Sequence, residues 1–360
     1  MADCGTKERM KLLIITQKAD KNDSVLGFFH AWIAGLAGKF EKVSVICLEQ
    51  GEHQLPKNVS VYSLGKESGA SRLTYLVRFY RHIITLRKEY DCVLVHMNPE
   101  YVALGGLVWR ALHKRVVLWY AHKSVTPWLH LAEKFAHVVV SASKESFRLP
   151  SRKTQFIGHG IDVTLFSPEK RPLGADFRIV SVGRISPVKD YETLIAALAL
   201  LANERIQFHA LIVGGPGQPD NEQYALRLKK IVQDSGLTDA VRFTGPVPHG
   251  ETVAYYRQAS VCVNLSRTGS MDKAVLESMA CAVPAITSNE AFVPLLSSHK
   301  ELLLAVPQDA RDLAEKLKRL HAMKLGELQA IGDALRAKVK SSHSLARLLE
   351  NLTTTLTSRV

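Results

Sequence analysis

Short apolar runs rich in β-branched residues alternate with segments of helical period along the whole chain. Strands buried in a parallel sheet are continuous apolar runs, whereas helices repeat apolar residues every three or four positions. In the first half, the strand-like runs are 11–16, 43–48, 59–64, 92–97, 116–120, 138–141 and 154–157. In the second half, they are 178–182, 208–213, 241–244, 261–265 and 302–305. The pattern predicts two successive sets of buried strands.

Segments of helical period lie between most of these runs. They are 25–40, 72–88, 101–112 and 128–135 in the first half, and 191–203, 223–233, 252–258, 273–281 and 310–323 in the second. A final amphipathic helix is predicted over 344–356. Buried strands that alternate with helices indicate an α/β fold in which helices cover both faces of parallel sheets. Ligands of such sheets bind at the carboxyl ends of the strands.

The length of the chain predicts two domains, because 360 residues exceed the usual size of one. Gly, Asp and Pro cluster over 158–173, which predicts the connection between the domains. We therefore expect an N-terminal Rossmann-like domain over 1–160 and a C-terminal one over 161–342. Residues 343–360 are expected to form a last helical segment.

The lengths of the apolar runs and the spacing of the cysteines indicate the cellular compartment. No apolar run approaches the ~20 residues that span a bilayer, and residues 1–7 lack the apolar stretch of a secretory signal. The five cysteines are scattered without Cys-x-x-Cys spacing. We therefore expect a cytoplasmic protein with neither disulfides nor a zinc site.

The net charge of +13 belongs mainly to the first half. Residues 1–158 contain 23 Lys and Arg against 13 Asp and Glu, whereas the remainder contains 24 against 21. Much of the excess lies in 72–88, where basic and apolar residues alternate. This pattern suits a basic amphipathic helix that rests on an anionic membrane surface, or alternatively a core helix with a solvated basic face. We expect no nucleic-acid partner, because no recognised nucleic-acid motif accompanies the charge.

Two cations and a carboxylate are the candidates for chemistry. Arg184 and Lys189 follow the strand-like run 178–182 through Gly183. A guanidinium forks onto phosphate oxygens and an ammonium adds a point charge beside it. Glu277 stands near the start of a predicted helix, where its carboxylate can accept hydrogen bonds from a ribose diol. These residues predict a site for a nucleoside diphosphate.

The same residues carry a family resemblance. Gly183–Lys189, followed by 191–197, resembles the donor-binding signature of glycosyltransferase family 4, the large retaining GT-B family. Further blocks of this family are matched in the expected order by 158–166, 241–245 and 277–284. The resemblance is close in the C-terminal half and loose in the N-terminal half.

The resemblance implies a fold and a reaction. The fold would be GT-B, with two Rossmann-like domains that face a cleft and a C-terminal helix that crosses back to the first domain. The reaction would transfer a sugar, with retention, from a UDP- or GDP-sugar to a hydroxyl of a glycan or lipid-linked acceptor. We expect no cofactor and no metal, because the chain lacks the Asp-x-Asp signature of metal-dependent glycosyltransferases. Closure of the domains would exclude water and bring donor and acceptor together.

By this resemblance, Arg184 and Lys189 neutralise the leaving diphosphate and Glu277 binds the ribose hydroxyls. The other expected donor-binding residues are Gly183, Gly215, Phe243, Gly245, Ser270, Met271, Asp272 and Lys273. The chain departs from the family at Gly269, where the family has a second Glu that contacts the donor sugar. Asp272 is a candidate substitute, and Ser270, Met271 and Lys273 are candidates to offer backbone N–H groups.

The first half contributes a smaller set of candidates. His122 closely follows the strand-like run 116–120, at the position of a family histidine that touches the donor sugar, so by this resemblance we assign it sugar positioning. The expected acceptor-side residues are Asn22, Asp23, Ser24, His96 and Asn98. An alternative role for Asp23 or Ser24 is to cap the following helix.

Three alternatives stay open at this point. Gly269 in place of the family Glu suggests a catalytically silent subunit that binds a sugar nucleotide or acts as a scaffold. A nucleotide-sugar epimerase shares the fold, although the match around Glu277 argues against it. A dinucleotide-dependent dehydrogenase is less favoured, since no Gly-x-Gly-x-x-Gly follows the first strand-like run.

Overall fold

The computed structural model describes residues 10–23, 25–169, 176–217, 219–267 and 269–358. Its contacts divide the chain into two compact units. The first unit comprises the described residues through Gly160 together with those from Ala346 onward, and the second comprises Ile161–Leu345. Among the described residues, no helix combines the length and the apolar composition that crossing a bilayer requires.

The first unit is built on a parallel sheet, which has seven strands in the described part of the chain. They are β1 Leu12–Ala19, β2 Val43–Gln50, β3 Val59–Ser63, β4 Cys92–His96, β5 Arg115–Trp119, β6 Val138–Ser141 and β7 Thr154–Phe156. The order across the sheet is β3-β2-β1-β4-β5-β6-β7. The helices are α1 Phe28–Ala37, α2 Arg72–Thr85, α3 Pro99–Ala111 and α4 Pro127–Phe135.

The second unit has a smaller parallel sheet, with five strands among its described residues. They are β8 Arg178–Val182, β9 His209–Val213, β10 Val241–Gly245, β11 Val261–Asn264 and β12 Ala285–Thr287, in the order β10-β9-β8-β11-β12. The helices are α5 Tyr191–Asn203, α6 Glu222–Asp234, α7 Thr252–Gln258, α8 Lys273–Ala280, α9 Val293–Leu296, α10 Lys300–Leu303, α11 Ala310–His321 and α12 Leu325–Ser342.

Each sheet is the centre of its own core. In the first unit, strand residues such as Ile15 and Val95 are fully buried and pack with Phe79 of α2 and Trp109 of α3. In the second unit, a separate cluster joins the strands to α5, α8 and α11. Burial of apolar surface contributes roughly 25 cal/mol for each Å². Both sheets therefore hold their strand ends, and the loops that follow them, on rigid supports.

The last helix, α13 (Leu345–Thr357), belongs to the first unit for almost its whole length. Leu349 packs so closely on Gly35 of α1 that a Cβ at Gly35 would lie 2.3 Å from its Cδ1. Arg115 Nε donates a 2.6 Å hydrogen bond to the Thr355 carbonyl. The prediction of an α/β fold with two parallel-sheet domains and a returning C-terminal helix is confirmed.

One predicted strand is wrong. Lys300–Leu303 form the short helix α10 and Leu304 makes a single bridge to Thr287, whereas the apolar run 302–305 predicted a strand. Periodicity cannot distinguish a buried strand from a buried helix in so short an apolar run. The pattern also missed β12 and α12.

Candidate functional site

The order of strands in the second sheet marks where a ligand is expected. From β8 the chain proceeds outward to β9 and β10, and then returns to the other side of β8 as β11. The loops after β8 and β11 therefore leave the sheet in opposite directions, and ligands of open α/β sheets bind in the crevice at such a point. Arg184 and Lys189 follow β8, whereas Asp272 and Glu277 follow β11.

Lys189 and Asp272 form an ion pair across this point. Their side chains are 14% and 18% exposed. Asn264 Nδ2 donates to the same Asp272 oxygen at 3.2 Å, and the other oxygen accepts from the Ala274 N–H as the N-cap of α8. Burial opposes ionisation, but the charge of Lys189 outweighs it and holds the pKa of the Asp272 carboxyl below its ordinary value. The structure thus directs Asp272 to Lys189, which does not favour it as a substitute for the missing family Glu.

Three glycine loops pack on each other at the ends of β8, β9 and β10. The Gly214 N–H donates to the Gly245 carbonyl at 3.0 Å, and the Gly183 N–H donates to the Val213 carbonyl at 2.9 Å. A Cβ at Gly214 would lie 2.1 Å from the Gly183 carbonyl oxygen, so a side chain is excluded there. Gly215 accepts a hydrogen bond from the Ile185 N–H at 2.8 Å. These contacts fix the backbone that precedes and follows Arg184.

Arg184 presents a free cation at this end of the sheet. A Cβ at Gly217 would lie 2.9 Å from Arg184 Cδ, so the absence of a side chain there leaves room for the Arg184 stem. The residue is exposed, and its guanidinium forms no hydrogen bond or ion pair with the described part of the chain. A guanidinium with five unused donors is suited to fork onto phosphate oxygens.

Glu277 of α8 is a buried, hydrogen-bonded carboxylate with a side chain only 6% exposed. Its Oε1 lies 2.8 Å from His249 Nε2, and its Oε2 accepts from the Tyr256 hydroxyl at 3.3 Å. Burial, together with the charge of Glu277, raises the pKa of Tyr256 well above its ordinary value, so the phenol stays a donor. A carboxylate offers about four lone-pair sites, and these two contacts leave acceptor capacity for a diol.

His249 is a site residue that the sequence did not reveal. It lies in the segment after β10, 28 positions before Glu277, and no motif links the two residues. Its ring also lies 5.3 Å from that of Phe166, which fixes its orientation. Only the fold brings this imidazole to the carboxylate.

The other residues predicted around the donor have mixed surroundings. Phe243 packs against the core of the second unit, and Met271 belongs to that core. The Ser270 carbonyl accepts from Asn289 Nδ2 at 2.7 Å. The Lys273 ammonium is buried, and burial lowers its pKa well below the ordinary value although the charge of Glu277 opposes this. Among the described residues, no group of three or more His, Cys, Asp or Glu side chains is placed to hold a metal ion.

His122 lies in the first unit, in the loop that follows β5, and is exposed. The Ser124 N–H donates to its Nδ1 at 3.1 Å, and the Tyr120 hydroxyl closes the loop by donating to the Ser124 carbonyl. Because Nδ1 accepts, the neutral ring carries its proton on Nε2. The residue therefore presents an N–H donor at the carboxyl end of β5.

The predicted acceptor-side residues are mostly engaged within the first unit. Asn22 Nδ2 donates to Glu52 at 2.9 Å, and Asp23 caps the turn before α1 by accepting from the Val25 and Leu26 N–H groups. His96 is 2% exposed, and its ring stacks on Phe29 at 3.9 Å, which places it in the core instead of on an open surface. Asn98 lies at the start of α3. Ser24 lies outside the described residues.

Known proteins resemble the chain in part of its sequence and in its whole fold. D-inositol 3-phosphate glycosyltransferase of Thermobispora bispora is 30% identical over 152 residues, which are 39% of this chain and 35% of that protein. The putative colanic acid biosynthesis glycosyltransferase WcaL of Escherichia coli is 28% identical over 221 residues, 56% of this chain and 52% of that protein. The matched regions thus span about a third to a half of these curated relatives.

A solved structure extends the likeness to the full fold. HepE of Anabaena, in complex with UDP and glucose, has a TM-score of 0.77 at 18% identity, over 97% of this chain and all of that one. The chain therefore has the GT-B fold. Residues 164–336 match the family model of the glycosyl transferases group 1.

Proposed function

We propose that the protein transfers a sugar from a nucleotide diphosphate sugar to a hydroxyl of a glycan or lipid-linked acceptor, with retention and without a metal. The observation that carries this proposal is the pair of cations, Arg184 and Lys189, at the switch point of a group 1 glycosyltransferase domain. HepE was solved with UDP and with UDP-glucose, which supports a UDP-sugar as the donor here; a GDP-sugar is the alternative donor.

In this proposal, the diphosphate lies between the free guanidinium of Arg184 and the ammonium of Lys189. The carbon–oxygen bond from the sugar to the diphosphate breaks, and negative charge develops on the leaving phosphate oxygen. Fixed donors aimed at developing charge stabilise a transition state without reorganising during the reaction. The Lys189–Asp272 ion pair holds the ammonium in one position for this role.

Glu277 is assigned to bind the ribose of the donor. Its carboxylate is held by His249 and Tyr256, and its unused lone pairs accept the 2′ and 3′ hydroxyls of the nucleoside. A buried carboxylate discriminates strongly against ligands that lack the matching hydroxyls, because the site is then left with unpaired polar groups. The nucleoside and the diphosphate are thus bound by different residues of one unit.

His122 is assigned to position the transferred sugar. Its Nε2–H donates to a sugar hydroxyl near the reaction centre, which orients the ring and strengthens as charge develops. No residue is assigned as base. The acceptor oxygen bonds to the anomeric carbon on the face that the diphosphate leaves, and its proton passes to the departing phosphate oxygen.

A membrane surface is the proposed location of the acceptor. Helix α2 exposes Leu73 and Val77 by 71% and 60%, and Ile84 continues the same stripe. Arg81 and Lys88 are exposed beside it. Two interactions contribute to the affinity of a helix for a membrane surface. Apolar side chains insert at the headgroup level, and basic residues attract anionic lipids. Binding to anionic vesicles should fall with salt and fall further in the Leu73→Gln variant. Vesicle binding that changes neither with salt nor in the Leu73→Gln variant would reject this location.

The direct test of the reaction is release of nucleoside diphosphate. Purified protein is incubated with a panel of UDP- and GDP-sugars and membrane extract, and one donor should yield UDP or GDP and a glycosylated product. Arg184→Ala should slow that reaction by about 10²–10³-fold, as loss of one oxyanion donor does elsewhere. Absence of turnover with every donor, beside intact nucleotide binding, would favour the silent subunit instead.

A further inference from the structure

A cavity of about 390 Å³ opens in the first unit, and none of its lining residues is assigned to the donor. It lies at the carboxyl ends of β1 and β2 and beneath the first turns of α2 and α3. Its walls are apolar and aromatic, formed by Leu48, Tyr75, Leu76, Phe79, Tyr101 and Leu104. Its volume falls within the roughly 300–1,000 Å³ of small-molecule sites.

The position of this cavity, here named the α2–α3 cavity, is the ligand position of the first sheet. From β1 the chain proceeds outward to β2 and β3, and then returns to the other side of β1 as β4. The cavity is lined by Gln17 of β1 and by Asn98, which follows β4. It therefore lies at the switch point of this sheet, where the loops diverge and leave a crevice.

The mouth of the cavity is lined by four polar side chains. Gln17, Arg72 and Glu100 are exposed, and Asn98 is half-buried. None of these four side chains forms a hydrogen bond or an ion pair with the residues that the structure describes. The neighbouring loop is different, since Lys18 pairs with Asp20, Asp23 and Glu49 there. Apolar walls with convergent, unused polar groups are the signature of a ligand site.

The charge at the mouth favours an anion. Arg72 is the first residue of α2, where a cation adds to the positive end of the helix dipole instead of offsetting it. Glu100 is in the first turn of α3 and offsets the dipole of its own helix. The uncompensated charge is thus that of Arg72 and the α2 N-terminus, which together suit a phosphate.

Helix α2 contributes three apolar wall residues to the cavity, Tyr75, Leu76 and Phe79, and exposes Leu73 and Val77 to solvent beside them. We propose that the α2–α3 cavity binds the aliphatic chain of a phosphate-bearing amphiphile, with the chain between the apolar walls and the phosphate at Arg72. This inference rests on the proposed function only in identifying that amphiphile with the lipid part of the acceptor.

The test is a titration of the full chain with dodecyl phosphate, below its micelle concentration, by calorimetry. Leu76→Trp fills the cavity, and Arg72→Gln removes the cation at an exposed site that does not threaten folding. The matched controls are Leu107→Trp, exposed on α3, and Arg87→Gln, exposed beyond the end of α2. We expect saturable binding by the wild type and both controls, and at least tenfold weaker binding by Leu76→Trp and Arg72→Gln. Dodecyl glucoside, which has no charge, should lose affinity with Leu76→Trp alone.

Three results would overturn the proposal. They are absence of saturable binding, equal affinity of Arg72→Gln and its control, or inorganic phosphate binding as tightly as dodecyl phosphate. The same samples are heated with UDP and with GDP. A nucleotide response without dodecyl phosphate binding rejects the cavity alone, whereas dodecyl phosphate binding without any nucleotide response rejects the proposed donor site alone.

Discussion

His249 Nε2 lies 2.8 Å from the Glu277 carboxylate, so an imidazole from the loop after β10 orients the carboxylate assigned to the ribose. Replacement of His249 by Ala removes this contact from the buried carboxylate and leaves the Tyr256 hydroxyl as a hydrogen-bond donor to it. Hydrogen bonds to charged groups contribute about 1.5–3 kcal/mol, so we expect at least tenfold weaker binding of the nucleoside. Calorimetry should give the same loss for uridine and UDP, or for guanosine and GDP.

The control for this variant is His209→Ala, an exposed histidine of the same unit. It should bind as the wild type does. If His249→Ala weakened the binding of UDP or GDP but not that of the nucleoside, the assignment of Glu277 and His249 to the ribose would be contradicted.

Asp272→Asn separates the charge of this residue from its capping role. The amide still accepts from the Ala274 N–H, but Lys189 loses its ionic partner. Removal of a negative charge beside the diphosphate should tighten UDP or GDP binding about tenfold, or ~1.4 kcal/mol, without changing nucleoside affinity. The transfer rate should fall, because the ammonium is no longer held in place. Binding and turnover are measured on one preparation.

Asp309→Asn is the matched variant, because Asp309 caps α11 by accepting from two N–H groups and forms no ion pair with a described residue. It should leave nucleotide binding unchanged. An equal change in nucleoside and diphosphate affinity, or the same effect from Asp309→Asn, would show that Asp272 does not act through Lys189.

Gly214→Ala tests the packing of the glycine loops. The added methyl would meet the Gly183 carbonyl oxygen at 2.1 Å, and the backbone at Gly214 has a φ of 138°, which favours glycine. Overpacking of this kind costs about 1–3 kcal/mol, so thermal unfolding should occur several degrees lower. Nucleoside diphosphate affinity should fall as well, since the loop positions Arg184. Gly250→Ala, where an added Cβ meets nothing within 4 Å, should change neither quantity.

The folded protein should lose stability in mild acid through His343. Burial lowers the pKa of this histidine to about 4, from an ordinary value of 6.5. The unfolded chain binds the proton more readily, so this contribution is complete above pH 6.5 and is lost as the pH falls toward 4. It amounts to about 3 kcal/mol at most. Denaturant unfolding at pH 7.5 and pH 4.5 should differ less in His343→Gln than in the wild type. His130→Gln, at an exposed position, should behave like the wild type.

Most of the fold could be predicted because the apolar pattern within a short segment largely determines whether that segment forms a buried strand or a helix. Runs such as 43–48 and 178–182 are mostly apolar at successive positions and rich in β-branched residues, which is typical of a strand between two helical layers. The run 302–305 was ambiguous for the opposite reason, since a few leucines fit a buried helix equally well. Helix α12 was missed although its buried residues, Leu328, Ile331, Leu335 and Val339, repeat with a helical period.

The proximity of candidate site residues could be predicted only where they belong to one short sequence motif. Arg184 and Lys189 are in one short segment after a strand, so their joint position followed from the sequence. The partnership of Lys189 with Asp272 spans 83 positions, and that of His249 with Glu277 spans 28. Such contacts are set by which strands are neighbours, and no local pattern encodes that order. The burial of His96 could not be predicted either, since a histidine at a strand end is as compatible with a core aromatic cluster as with a surface.

The central claim is that Arg184 and Lys189 bind a diphosphate, and calorimetry on two variants tests it most directly. UDP, GDP and their nucleosides are titrated into the wild type, Arg184→Ala, Lys189→Ala and the exposed control Lys230→Ala. We expect the wild type and Lys230→Ala to bind one nucleoside diphosphate much more tightly than its nucleoside. Arg184→Ala and Lys189→Ala should lose most of that difference but keep the nucleoside affinity. A diphosphate affinity unchanged in both variants would contradict the account.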